Sequence, residues 1–181
     1  VALLKANPGK FNYASVGSGS PHHLFMEALK AELGLSIQHV PYKGTQAAIP
    51  DLLSGGVQMM FADATVAVPN IQAGKVTPLG TSSAKPTTLV PGVPPIAATV
   101  KGFDWEAWQG IVAPAATPPA IVAKLAAELQ RIQSTPEFRE QLRKFGMESA
   151  PPHTPAEFAA IVAAEQPRWQ KAVKDSGAKV D

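Results

Sequence analysis

Between Phe11 and Thr81 the chain repeats one pattern three times: a short apolar run of strand length, a turn of small residues, apolar residues at helical spacing, and glycine at the stop. Residues 11 to 15 form the first run, and Leu24, Phe25, Ala28, Leu29 and Leu33 then recur at helical spacing until Gly34. Ile37 to Tyr42 is the second strand, followed by a helix from Gly44 through Leu53 that Gly55-Gly56 closes. Val57 to Phe61 is the third, followed by a helix from Ala64 to Ala73, closed by Gly74-Lys75, and by a further strand over Val76 to Thr81. Such alternation predicts an α/β layer, because parallel neighbours need a crossover between them and a right-handed helical crossover packs back onto the sheet.

The pattern changes at Lys85. The run from Lys85 to Pro95 carries too many prolines for a helix or an interior strand, so it is an extended connection. Trp105 to Ala113 resumes a strand-like pattern, and beyond Pro114 the chain turns helical. Helices are expected from Pro118-Pro119 through Ile132, from Thr135 to Phe145, and from Thr154 to about Asp175. Thr154-Pro-Ala-Glu157 has the spacing of a capping box, and Pro167 either kinks the last helix or splits it. The opening, Val1 to Gly9, reads as the end of a helix, like sequence from the middle of a protein.

Composition excludes several classes of function. Sixteen basic and fourteen acidic residues are scattered without a dense basic run, which argues against nucleic acid as a partner. Pro, Gly or a charge interrupts every apolar stretch before the roughly 18 residues of a membrane-spanning helix. The lack of cysteine removes thiolate chemistry, and no histidine has the spacing of a zinc motif. His22 and His23 are adjacent, so on a helix their side chains diverge by about 100° and do not share a metal.

The candidate site is the segment Asn12 to Leu24, where a strand runs through small, flexible residues into a helix. Such a turn aims backbone N–H groups and the positive end of a helix at one point, where a carboxylate or phosphate is stabilised. The same composition also serves a turn that merely bends. Ser15, Gly17, Ser18 and Gly19 permit close approach of a ligand and offer hydroxyl donors. Ser20 before Pro21 has the form of a helix N-cap, and His23 in the first turn either donates to an anion or packs inward. Asp63 ends the third apolar run, at the strand end where open α/β sheets bind ligands, and it either reads a hydroxyl or amino group or caps the next helix. An enzymatic alternative, a hydrolase or transferase using the Ser-rich loop and His23, stands beside binding, although no G-x-S-x-G elbow is present.

Tyr13-Ala-Ser15 with Gly17, Gly19 and His23, then Val40-Pro-Tyr-Lys-Gly44, Phe61-Ala-Asp63, Gly74-Lys75, Pro91-Gly-Val-Pro94, Trp108-Gln-Gly110, Ala113-Pro-Ala115 and Thr117-Pro118 form an ordered set. That set resembles the Bug (TctC) family of periplasmic solute-binding proteins that serve tripartite tricarboxylate transporters. The resemblance implies a periplasmic-binding-protein-like, type II Venus-flytrap fold that closes on a small organic acid and partners membrane transporter subunits, with no catalysis and no cofactor. It assigns residues 10–109 to the α/β ligand-binding second domain and residues 110–181 to a hinge strand and C-terminal helices that belong with the first domain. Ser15, Gly17, Ser18, Gly19, Ser20 and His23 correspond to the second domain's carboxylate loop, and Asp63 to the segment facing the variable part of the ligand. The family's first-domain loop has no counterpart here, so the site is expected to be incomplete. The helical tail is expected either to repack onto the body or to self-associate.

Overall fold

In the computed structural model, which describes residues 1–178, strand β1 (Asn12–Ser15) runs between β2 (Gln38–Pro41) and β3 (Met59–Met60) in a parallel sheet of order β2-β1-β3. Tyr13 lies opposite His39 on one side and Met59 on the other, and Ala14 lies opposite Val40 and Met60. Helix α1 (Ala2–Ala6) precedes the sheet, and α2 (Pro21–Leu33), α3 (Thr45–Ser54) and α4 (Ala64–Gln72) follow the three strands in turn. The alternation expected from the sequence is the one observed.

Successive side chains of a strand face opposite ways, and β1 uses this to hold two cores apart. Tyr13 packs with Met26, Leu35 and Ile37, flanked by Leu29, Leu33 and Met59. Ala14 packs with Ala48 and Val57, flanked by Val40, Leu52 and Met60. Tyr13, Ala14 and Ser15 are all fully buried. An aromatic group closes the sheet beside β3: Phe25 meets the edge of Phe61 at 5.6 Å, and Phe61 stacks with Phe103 at 6.3 Å.

Two expected strands do not form. Over Val76 to Thr81, Pro78 lacks a donor, and the neighbouring segment is itself proline-rich, so only an isolated parallel bridge joins Thr81 to Pro95. There Thr81 N–H donates to Pro94 O at 3.0 Å and Ile96 N–H to Thr81 O at 2.9 Å. Gly80 is required beside the bridge, since a Cβ on it would sit 2.8 Å from Ile96 Cγ1. From Trp105 to Ala113 the backbone joins no ladder after Trp105 N–H donates to Ser82 O, and Ile111 and Val112 are exposed. An apolar run becomes a strand only where another strand offers partners for its amides and carbonyls. The third strand is also shorter than its apolar run, covering only Met59–Met60.

The described residues divide into two units, Val1–Ala107 with residues 170–178, and Trp108–Trp169. The second contains α5 (Pro119–Ser134), α6 (Pro136–Lys144) and most of α7 (Pro155–Ser176), and none of these helices has a buried residue. Thr135 caps α6 by accepting from Phe138 N–H at 3.3 Å. The Thr154 and Glu157 capping box is complete: Thr154 N–H donates to Glu157 Oε2 at 2.7 Å, and Glu157 N–H donates to Thr154 Oγ1 at 3.2 Å. Helix α7 continues through Pro167 without splitting. Within this unit Trp108 meets Phe158 edge to face at 5.3 Å, and the Trp108 and Trp169 indole N–H groups both donate to Glu165 Oε2.

Candidate functional site

Because the three strands are parallel, the turns that follow them leave from one edge of the sheet. Residues 16–20 follow β1, residues 42–44 follow β2, and residues 61–63 follow β3. This is the edge at which open α/β sheets place ligands.

The first turn is built around Ser15 and two glycines. Gly17 (φ +129°) and Gly19 (φ +77°) occupy the left-handed half of backbone space, which a side chain disfavours. Ser15 Oγ accepts from Gly17 N–H at 3.1 Å and lies 2.6 Å from His39 Nε2 across the β1–β2 pair. Gly19 N–H donates to His23 Nδ1 at 3.1 Å. That nitrogen is therefore unprotonated, and the ring proton sits on Nε2, 3.9 Å from Glu27 Oε1. Ser20 is the N-cap of α2, accepting from His23 N–H at 3.3 Å while its hydroxyl donates to Gly17 O at 2.7 Å.

These contacts separate the candidate residues by role. Ser15 is fully buried, His23 is buried, and both spend their polar atoms on holding the turn. The amides of Gly17, Gly19, Ser20 and His23 all have intramolecular acceptors. Ser18 lies exposed at the tip. The Gly17 and Gly19 amides are therefore not free donors to an anion, contrary to the expectation from the sequence. In this conformation they fix the shape of the turn, and the tip around Ser18 is what meets solvent.

Beneath the turn lies a polar layer that sequence reasoning did not assemble. The His23 and His39 rings stack with centroids 4.0 Å apart, and His39 also stacks on Tyr13 at 5.0 Å. Tyr13 donates to Glu27 Oε1 at 2.5 Å, and Lys30 Nζ donates to the same oxygen at 2.6 Å. Burial is the main cause of each shift here: it pushes Tyr13 up, His23 down, and His39 down to about 4, the neighbouring His23 adding to the last. Both imidazoles are neutral near pH 7. The available signal was the β1–β2 register, which sets Tyr13 opposite His39 and Ser15 beside it.

Asp63 sits at the N-cap of α4, and its carbonyl accepts from Val66 N–H and Ala67 N–H, but its side chain makes no cap bond. The carboxylate turns to the sheet edge instead. Oδ2 accepts from Thr45 Oγ1 at 2.6 Å, and Oδ1 lies 3.1 Å from His22 Nε2. The hydrogen bond with His22, opposed by burial and reinforced by Thr45, holds the carboxyl down at about 2. Thr45 is buried, whereas the Asp63 side chain is 55% exposed. His22 Nδ1 is buried without a hydrogen-bond partner among the described residues.

The enzymatic alternative needs a serine hydroxyl on His23. The serine in contact with an imidazole is Ser15, on His39, and it is closed off from solvent. His23 meanwhile holds the Gly19 amide. Among the described residues no group of three or more His, Asp or Glu side chains could hold a metal ion. A groove of about 550 Å³ in the second unit, lined by Thr117, Pro119, Val122, Ala126, Gln130 and Thr154 among others, contains none of the candidate residues and no charged group. No described helix is long and apolar enough to cross a membrane.

Comparison with known proteins agrees with this architecture. Residues 1–178 match the family model described as "Tripartite tricarboxylate transporter family receptor", TctC. A UPF0065 protein from the tcbD-tcbE intergenic region of a Pseudomonas species is 38% identical over 176 residues, covering 94% of this chain and 52% of the relative. Thus the chain spans about half the length of that relative. A structure of an R. palustris protein with adipate superposes with a TM-score of 0.83 at 30% identity, covering 98% of this chain and 59% of that one. The periplasmic binding protein BugD superposes at 0.80 and 32% identity, covering 98% and 60%. The mixed helix and parallel-sheet fold is therefore that of periplasmic binding proteins, and the chain belongs to the TctC, or Bug, family of tripartite tricarboxylate transporter receptors.

Proposed function

We propose that this chain carries one wall of a periplasmic binding site that captures a small carboxylate-bearing solute for uptake by a tripartite tricarboxylate transporter. The observation that supports this reading is the placement of the β1–α2 turn and Asp63 on one edge of a parallel sheet, with Ser18 exposed at the tip. In this reading the residues divide the work. Ser18, exposed at the tip, meets the ligand carboxylate at the positive end of α2, Ser15, Gly17, Gly19, Ser20 and His23 hold the turn in shape, and Asp63 faces the far end of the ligand. In the same reading residues 10–109 form the ligand-binding domain, and residues 110–181 belong with the first domain of the fold. Capture and release need converging donors and no nucleophile, which fits a serine sealed beneath the loop.

The chain spans about half the length of the relatives it matches, so the test must detect weak binding, with dissociation constants of ~1 mM or about 4 kcal/mol. Titration of the ¹⁵N-labelled chain with pentanoate and acetate, read by amide NMR, should shift Val16 to His23 in a saturable way and leave unit 2 unmoved. No shift in those amides up to tens of millimolar disposes of the proposal. Turnover of a carboxylic ester that disappears in Ser15→Ala would favour the hydrolase instead.

A further inference from the structure

Resting on the reading above, we infer that the His22, Asp63 and Thr45 group selects the far end of the ligand, and that it takes a carboxylate bearing a second, hydrogen-bond-donating group, an ammonium or a hydroxyl, in preference to a dicarboxylate. The argument starts from lone pairs. A carboxylate offers about four acceptor sites, and Asp63 uses one on each oxygen, towards Thr45 Oγ1 and His22 Nε2. The side chain is still half exposed on the sheet edge, so the remaining acceptors face solvent.

Charge points the same way. With His22 neutral, the pair carries one negative charge; with His22 protonated, it carries none. In neither state does it offer a net positive charge to a second ligand carboxylate. A dianion such as the adipate of the R. palustris relative would find no net positive charge at this end, whereas an ammonium or hydroxyl would complete the open acceptors by a charge-assisted hydrogen bond. Thr45 keeps the geometry fixed, because its buried hydroxyl ties the carboxylate to the start of α3.

Four probes of one chain length separate the possibilities: pentanoate, 5-hydroxypentanoate, 5-aminopentanoate and pentanedioate, titrated against the ¹⁵N-labelled chain. The expected order has 5-aminopentanoate tightest, about tenfold or more ahead of pentanedioate, with 5-hydroxypentanoate between. Asp63→Asn should bring 5-aminopentanoate level with pentanoate, and Asp63→Glu, which keeps the charge, should restore part of the difference. An unchanged amide spectrum away from the edge confirms that both variants fold. Pentanedioate binding tightest, or a ranking untouched by Asp63→Asn, would overturn the inference. Saturable pentanoate binding without any ranking sinks this inference alone, while no shift with any probe sinks the proposed function with it.

Discussion

Ser15 Oγ lies 2.6 Å from His39 Nε2 on the neighbouring strand, and the same oxygen receives the Gly17 amide. One imidazole on β2 thus fixes the first bend of a turn that belongs to β1. The next bend is fixed by His23 through the Gly19 amide, and the two rings lie face to face. The shape of the candidate loop is therefore tied to the protonation of two stacked histidines, each facing Glu27 and Lys30 on α2 and Tyr13 on β1 as well as one another.

That coupling predicts a pH dependence with a definite sign. His39 drops from 6.5 unfolded to about 4 folded, and His23 shifts in the same direction, so as pH falls the unfolded chain takes up protons first. Stability should be level above about 6.5, fall between 6.5 and about 4, and level again below the folded values. Asp63 acts in a separate window: its stabilising contribution is present above 3.8 and is lost as pH falls towards about 2. Thermal melts at constant ionic strength from pH 8 to pH 3 check this. In His39→Phe, which keeps a ring in the stack, the slope between 6.5 and 4 should flatten; an unchanged slope would refute the assignment.

Gly17→Ala should destabilise the first unit by about 1–2 kcal/mol, because a Cβ there meets nothing within 4 Å and the whole cost is backbone conformation at φ +129°. Ser20→Ala should cost about 1 kcal/mol through the lost cap of α2. Urea unfolding followed by far-UV circular dichroism measures both. Equal stability of Gly17→Ala and the parent chain would mean that the turn relaxes freely.

Gly110→Ala tests the second unit. A Cβ at Gly110 would lie 2.3 Å from Phe158 Cζ, so the ring must move and its edge contact with Trp108 must change. The expected loss is about 1–3 kcal/mol, as for overpacking elsewhere, with a shift in tryptophan emission. Phe158→Ala should relieve the clash, so the double variant should be more stable than the two single losses added together. Strict additivity would show that the two positions do not touch.

Helices α5, α6 and α7 have no buried residue, and Ile121, Leu125, Ile132 and Val162 are exposed along them. Apolar surface of this kind is covered either by the chain's own body or by a second copy of the chain, and the prediction is the second copy. Light scattering on size-exclusion fractions should show mass rising with concentration, and Leu125→Lys should return the chain to a monomer. A monomer at every concentration up to about the millimolar range of NMR would dispose of self-association.

Much of the fold was legible in the sequence because its rules are local. Gly34 and Gly55 stop α2 and α3 in the left-handed conformation, Ser20 and Thr154 cap α2 and α7, and the apolar runs before them mark the strands. The two strands that failed depend on something a local pattern does not contain, namely a neighbouring strand with free donors and acceptors. The candidate site was legible only as positions along the chain: the glycines of the turn and the place of Asp63 just after β3. Its chemistry was not, because the partners come from other elements. His39 reaches Ser15 from β2, Glu27 reaches Tyr13 from α2, and Thr45 reaches Asp63 from the start of α3.

The parallel arrangement of β2, β1 and β3 sends every turn of interest to the same edge while Tyr13 and Ala14 anchor cores on opposite faces. In the proposed reading, ligand preference rests on exposed side chains at that edge rather than on the packed residues. A lineage built on this scaffold can then change its diet by exchanging the exposed Lys43 or Asp63, leaving the packed interior as it was.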